Sequence, residues 1–421
     1  MEKYIRRDLR SELEEHLEKD EISLIVGSRQ VGKTTLMEKM REKLEEEGKN
    51  TLFLNMDIQS DREHLKTQNS LLKKLELEFG DKKGYVFIDE IQRKENAGLF
   101  LKGIYDSSTE NKLVVSGSGS LELKEKIHES LAGRKRMFEL SPITLKEFID
   151  FKTGYKYTDR IGKYMETEKQ KFREHLDAYM NFGGYPQTVT SNTEKEKRRT
   201  IEEIHSSYLE RDVKNFLRVK KIDAFSDLIT LLSDQIGGLI SYSKLSQNLG
   251  IKTSTVRKYI RYLEKTYIIT KVRPFFTNKK KEIVKAPVAY FKDLGMRNFS
   301  VGRFGSLKLP SEKGKVFENL VHNILERKTL HKGTEIKYWR TKTGSEIDLI
   351  LDIGNEQIPV EIKHKTDPGI TRAMRSFIDS YRPEKALIIN IEKEETQEIN
   401  GTEIKHVPVH RLLTETIEKY Y

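Results

Sequence analysis

The octet GSRQVGKT at residues 27–34 lies between an apolar run, Ile22–Val26, and a helical stretch from Thr34 to about Glu46. Strand, glycine loop and helix in that order make a phosphate-binding loop. Glycine backbone lets successive N–H groups turn toward one anion at a helix N-terminus. The pattern assigns Gly27, Ser28, Arg29, Gln30, Val31 and Gly32 to the cradle around the phosphates, with Thr35 closing the nucleotide-binding set. Lys33 would reach the β- and γ-phosphates, and the Thr34 hydroxyl would coordinate Mg²⁺. Such a loop implies a parallel sheet of alternating strands and helices, with the ligand, here ATP, at the strand C-terminal ends.

The second half of such a site follows downstream. Tyr85–Ile88 reads as an apolar strand ending in Asp89 and Glu90. The first acid can hold the Mg²⁺ shell, and the second can orient the attacking water as the catalytic base. One strand, Thr51–Met56, separates the two motifs, and the strand Lys112–Val115 follows, ending in Ser116-Gly117-Ser118. This arrangement resembles the AAA+ superfamily, and the resemblance implies that Ser118 or Ser116 contacts the γ-phosphate or the lytic water, although an ordinary serine-glycine turn fits equally. Arg134, in Ala132-Gly133-Arg134 before the strand Met137–Leu140, is a candidate arginine finger for a neighbouring subunit. Arg134 or Arg136 as a plain surface cation is the competing reading.

A chain of 421 residues exceeds one compact core and fits two or three domains. Lys and Arg exceed Asp and Glu by 77 − 66 = 11, which favours a polyanionic partner. The absence of cysteine excludes disulfides and thiolate zinc sites. No apolar run approaches the roughly 18–20 residues of a membrane helix, and the first residues lack a signal-peptide core. A cytoplasmic protein without a membrane partner is expected.

Residues 225–293 read as a winged helix-turn-helix. Phe225, Leu228, Leu231, Leu232 and Ile236 give one helix, and Ser241–Leu245 opens a second that stops at Gly250. Val256, Tyr259, Ile260 and Leu263 define the buried face of a third, leaving Ser254, Arg257, Lys258 and Arg261 on the other. Strands Tyr267–Phe276 and Ile283–Phe291 would flank a basic turn, Lys279–Lys281, as the wing. A helix in the major groove with a cationic wing on phosphate is a usual docking geometry. A lid or a protein contact is the alternative.

The C-terminal part holds Glu346-Ile347-Asp348-Leu349-Ile350 and Pro359-Val360-Glu361-Ile362-Lys363 on two strands, after a helix bearing Glu318. This resembles the PD-(D/E)xK nuclease fold, with Asp348, Glu361 and Lys363 matching its catalytic set and Glu318 a helper acid. Asp348 and Glu361 could hold a second Mg²⁺ or Mn²⁺, and Lys363 could polarise the scissile phosphate or water. A salt-bridged surface of Asp, Glu and Lys is the alternative.

Together with SLAGR, FELSPITLKEF, FGGYP and YLERDV, these motifs make the chain resemble prokaryotic, especially archaeal, AAA+ ATPases with a nuclease-like C-terminal domain. The resemblance implies an α/β fold of four parts. These are a P-loop AAA+ three-layer parallel sheet at 1–141, a helical lid at 142–221, a winged helix-turn-helix at 222–305 and a PD-(D/E)xK-like α/β domain at 306–421. It also implies a homo-oligomer that hydrolyses ATP in connection with duplex or branched DNA. A signalling ATPase switch with protein partners and an inactive nuclease fold is the alternative.

Overall fold

The computed structural model describes residues 4–107, 110–118, 130–276, 278–341 and 343–420. Its N-terminal sheet contains β1 (Ile22–Gly27), β2 (Asn50–Asn55), β3 (Gly84–Asp89), β4 (Lys112–Ser118) and β5 (Lys135–Glu139). The strands are all parallel, in the order β2-β3-β4-β1-β5. β1, β3 and β4 are buried at every position, as central strands with helices on both faces must be.

Alternation along the strands separates the two faces. Leu24, Val26, Val86, Ile88, Leu113 and Val115 pack against Leu71, Leu75, Phe100, Leu101 and Ile104 of the helices Gln68–Phe79 and Ala97–Asp106. Ile25, Tyr85, Phe87 and Val114 face Leu9, Leu13, Leu36, Met37 and Met40 of the helices Leu9–His16 and Lys33–Glu46. The expected three-layer arrangement is therefore present. Inserting β4 between β1 and β3 brings its C-terminal serines to the phosphate-binding loop and to the acids of β3 together.

A helical stretch follows, including Leu145–Lys152, Lys169–Phe182 and Glu194–Ser207. It continues without a break into a π-helical segment, Tyr208–Phe216. The helices Ile222–Asp234, Tyr242–Leu249 and Thr253–Lys265 match the three expected of a helix-turn-helix. Ser241 accepts a hydrogen bond from the Lys244 N–H at the start of the second, and Gly250 ends it at φ +59°, a conformation glycine adopts without strain.

The wing differs from expectation. Between β6 (Ile269–Pro274) and β7 (Val288–Phe291) the basic run is a short helix, Lys279–Val284, rather than a turn. Glu282 holds it down: this buried carboxylate accepts hydrogen bonds from the Phe276 N–H and from the Lys337 ammonium at 3.0 Å. Lys280 is exposed, while the side chains of Lys279 and Lys281 lie outside the described residues.

β6 also pairs in parallel with β8 (Glu335–Arg340), so β6 and β7 join a second sheet. Its remaining strands are β9 (Glu346–Asp352), β10 (Gln357–Ile362), β11 (Lys385–Asn390), β12 (Glu395–Ile399) and β13 (Thr402–Pro408). The order is β12-β13-β11-β10-β9-β8-β6-β7. The expected boundary at 305/306 thus has one continuous sheet on both sides of it. The helix Pro310–Thr329 packs on one face through Val316, Phe317, Leu320 and Val321. The helix Arg372–Tyr381 covers the other through Met374, Phe377 and Ile378.

Candidate active site

The loop after β1 takes its shape from two glycines and one left-handed residue. A Cβ at Gly27 would sit 2.3 Å from the Leu140 carbonyl oxygen, so only glycine lets the loop approach the end of β5. Gln30 at φ +61° and Gly32 at φ +95° turn the backbone before the helix begins at Lys33. Arg7 fastens the loop from outside. Its guanidinium donates to the carbonyls of Val31 (2.9 Å) and Ser141 (2.6 Å) and pairs with buried Glu147 at 3.3 Å.

The residues picked from the sequence converge here. The Thr34 hydroxyl donates to Asp89 Oδ2 at 2.6 Å, so the two expected Mg²⁺ ligands are neighbours. A hydroxyl and one carboxylate fit Mg²⁺, which commonly takes few protein ligands beside waters and substrate phosphates. Lys33 is buried, and its ammonium donates to the Gly27 and Ser28 carbonyls at 3.2 and 2.7 Å. Burial lowers its pKa to about 8, although Glu90 and Asp89 oppose the shift. Thr35 follows on the helix, and Ser28 is buried.

Glu90 adopts φ +57°, an uncommon conformation for a residue other than glycine, which such a residue keeps only where its surroundings impose it. Its N–H donates to Asp89 Oδ1 (3.0 Å) and faces Ser116 Oγ at 3.3 Å, while Ser116 Oγ donates to Asp89 Oδ1. Gln92, which sequence reasoning passed over, joins Glu90 to β4. Its amide N–H₂ donates to the Glu90 carboxylate, and its amide oxygen accepts from the Ser118 N–H at 3.1 Å. Of the two serines, Ser116 touches the acid pair, and the buried Ser118 hydroxyl has no hydrogen-bond partner among the described residues.

Arg134 lies elsewhere. It precedes Lys135, which pairs with Ile22 at the start of β1, so about five residues of strand separate it from Gly27. At about 3.3 Å per residue this is roughly 16 Å, beyond reach of its own phosphate-binding loop. It pairs with Asp106 at 2.7 Å and is a third exposed.

Two motifs without assignable chemistry also reach the loop. In FGGYP, the Gly184 carbonyl accepts from the Ile143 N–H and the Gly184 N–H donates to Asp293. Tyr185 is buried beside Ser28, and Pro186 lies 3.8 Å from where a Gly32 Cβ would be. In YLERDV, Asp212 forms an ion pair with Arg29 at 2.7 Å.

A second cluster forms where β9 and β10 run antiparallel. The pairing of Leu349 with Val360 sets Asp348 opposite Glu361. Lys363 Nζ lies 3.6 Å from Asp348 and 2.9 Å from Glu361. Asp348 also accepts from the Ile362 N–H at 2.7 Å, and Glu361 accepts from the Thr371 hydroxyl at 2.5 Å. Glu318 accepts from the Tyr290 hydroxyl, on β7, at 2.6 Å. Burial, then the Asp348 charge, push its carboxyl up to about 8; burial pushes Asp348 up to about 6 despite Lys363. Among the described residues no group of three or more His, Asp and Glu is arranged to hold a metal ion.

On the helix Thr253–Lys265, Val256, Tyr259, Ile260 and Leu263 are buried and Ser254, Arg257, Lys258 and Arg261 are exposed. The Arg257 guanidinium stacks over the Tyr242 ring, 4.1 Å from its centre. Among the described residues no helix is long and apolar enough to cross a membrane.

In comparison with known proteins, residues 19–149 match a family described as an AAA domain. Residues 173–307 and 313–412 match two families each described as a domain of unknown function. An uncharacterized protein of Haemophilus influenzae is 26% identical over 404 residues, covering 92% of this chain and 93% of its own. Uncharacterized proteins of Methanocaldococcus jannaschii (27% over 364 residues) and Mycobacterium tuberculosis (25% over 376 residues) cover 85% and 89% of this chain and 77% of their own. These relatives are bacterial and archaeal alike. Among solved structures, AMPPCP-bound DnaA from Aquifex aeolicus aligns with a TM-score of 0.29 at 17% identity, over 62% of this chain and 90% of that one. The family match and the parallel sheet that carries Gly27–Thr35, Asp89 and Glu90 agree on a P-loop fold of the AAA type for residues 19–149.

Proposed function

We propose that the chain hydrolyses ATP with Mg²⁺ at Gly27–Thr35 and couples its nucleotide state to DNA binding by the winged segment. The contact between the Thr34 hydroxyl and Asp89, with Glu90 aimed from a left-handed turn beside it, carries the first half of this reading. Lys33 and the loop N–H groups bind the triphosphate, and Glu90 orients the attacking water and takes up its proton. Mg²⁺, held by Thr34 and Asp89, supplies charge neutralisation at the transferring phosphoryl group. Gln92 and Ser116 position the acid pair, and Ser118 N–H fixes Gln92. Arg134, remote from its own site, serves a neighbouring subunit in a homo-oligomer.

The exposed face of Ser254, Arg257, Lys258 and Arg261 supports DNA as the partner of a cytoplasmic protein with an excess of 11 positive charges. ATP turnover measured without DNA and with single-stranded, duplex and four-way DNA tests this. Stimulation by DNA supports the coupling, and equal rates in all four conditions refute it.

A second reading keeps the C-terminal cluster as a binding module and not a nuclease. Lys363 supports it by bridging the carboxylates of Asp348 and Glu361 where a second Mg²⁺ or Mn²⁺ was expected. Metal-dependent nicking that is lost in Asp348→Ala or Lys363→Ala would establish cleavage instead.

A further inference from the structure

The pairing of Arg29 with Asp212 joins the phosphate-binding loop to a segment far along the chain. It is almost closed to solvent, with 17% of the Arg29 side chain and 6% of the Asp212 side chain exposed. Asp212 also adds to the field at Lys33, together with Glu90 and Asp89. A carboxylate therefore faces two cations of a loop whose composition suits phosphate. Buried charges at this range are weakly screened. A triphosphate in the loop would compete with Asp212 for Arg29 and would repel it.

Asp212 stands on the π-helical segment Tyr208–Phe216, where the Leu217 N–H donates to the Asp212 carbonyl at 2.8 Å. Wide turns of this kind are rare and occur mostly at functional sites. The other side of the segment belongs to the winged unit. Tyr208, Val213 and Leu217 share a core with Phe225, Leu228, Tyr259 and Ile260, and the Tyr208 hydroxyl lies 2.9 Å from Thr266 Oγ1. One segment thus has an anion in the phosphate-binding site and its apolar side in the three-helix unit.

We infer that the Arg29–Asp212 pair is a latch that ATP opens, releasing the π-helical segment and with it the winged unit from the ATPase domain. The inference rests on the ATP-site reading above. Asp212 is a positioning residue here, acting through Arg29. Because ATP must displace it, removing its charge should strengthen nucleotide binding, whereas a merely structural acid would weaken binding when removed.

The test titrates the full chain, its Asp212→Asn and Asp212→Glu variants and the Lys33→Ala control with a fluorescent, non-hydrolysable ATP analogue and Mg²⁺. Coupling between sites is typically about 5–150-fold, and Asp212→Asn should bind about tenfold tighter, with Asp212→Glu close to wild type. In the wild-type chain, hydrogen exchange of residues 208–219 should quicken when the analogue binds. Equal or weaker binding by folded Asp212→Asn overturns the latch. So does unchanged or slowed exchange in the wild type, a result that needs no variant to fold. A wild-type chain that binds no analogue overturns the ATP-site reading and the latch with it. Binding to wild type but not to Lys33→Ala, with no gain in Asp212→Asn, overturns the latch alone.

Discussion

Replacing Arg7 with methionine should destabilise the ATPase domain more than any single surface change. Arg7 is 6% exposed, and three acceptors depend on it: the Val31 carbonyl, the Ser141 carbonyl and the Glu147 carboxylate. Burial would raise the Glu147 carboxyl; Arg7 and then Arg327, with the N–H groups of Thr144 and Asp8, hold it below its usual range. Methionine fills much of the volume but leaves Glu147 a buried anion with its main partner gone. Breaking a buried pair in this way costs about 3–5 kcal/mol. In a domain of this size each kcal/mol moves the midpoint by about 2–4 °C, so a fall of roughly 6–20 °C is expected. The control is Arg10→Met, whose pair with Glu14 is about a quarter exposed and is worth about 0–1 kcal/mol. The assay is thermal unfolding of the full chain, followed by hydrogen exchange of the β1 amides to locate the loss. Arg7→Met/Glu147→Gln should recover part of the deficit, because the stranded charge is gone. If Arg7→Met melts with Arg10→Met, the anchoring of the loop through Arg7 is wrong.

Three further outcomes are expected. The Glu318 carboxyl, raised to about 8 from an ordinary 4.5, favours a fold in which it is protonated. Its contribution is therefore full below the unfolded value and is lost as pH rises through about 8. Wild type should lose stability relative to Glu318→Gln between pH 5 and 9, and parallel melting curves would contradict this. Mixing Arg134→Ala with Lys33→Ala subunits should restore some ATP turnover, since each lacks a different half of a shared site; inactive verified mixed oligomers would remove the finger. Arg257→Gln with Arg261→Gln should weaken duplex binding and reduce its salt slope by about 0.9 per lost phosphate contact. An unchanged slope would assign this face to protein contacts.

The parts legible in the sequence were those whose partners are near in sequence or repeat with a period. Gly27–Thr34 is contiguous, and Asp89-Glu90 ends an unmistakable apolar strand. The helix Thr253–Lys265 shows Val256, Tyr259, Ile260 and Leu263 at helical spacing, and all four are buried. Asp348, Glu361 and Lys363 could be aligned because alternation along two strands fixes which side chains share a face.

Contacts across the fold left no such trace. Nothing local marks Arg7 as the anchor of Val31, Asp212 as the partner of Arg29 or Gln92 as the link from Glu90 to Ser118. FGGYP resisted interpretation because its work is steric: the glycines admit Ile143, Asp293 and Gly295, and Pro186 lies over Gly32. The basic run at 279–281 looked like a wing turn from its charge, yet Glu282, one residue later, decides the local structure by pairing with Lys337.

ATP turnover and nucleotide binding measured together on wild type, Lys33→Ala and Glu90→Gln test the central claim most directly. Glu90 sits where it can orient water but is not needed to hold the phosphates, so Glu90→Gln should bind ATP as wild type does and hydrolyse it at least about 100-fold more slowly, within the range general-base catalysis supplies. Lys33→Ala should lose affinity. Wild-type turnover by Glu90→Gln, or tight ATP binding by Lys33→Ala, would contradict the assignment of this site.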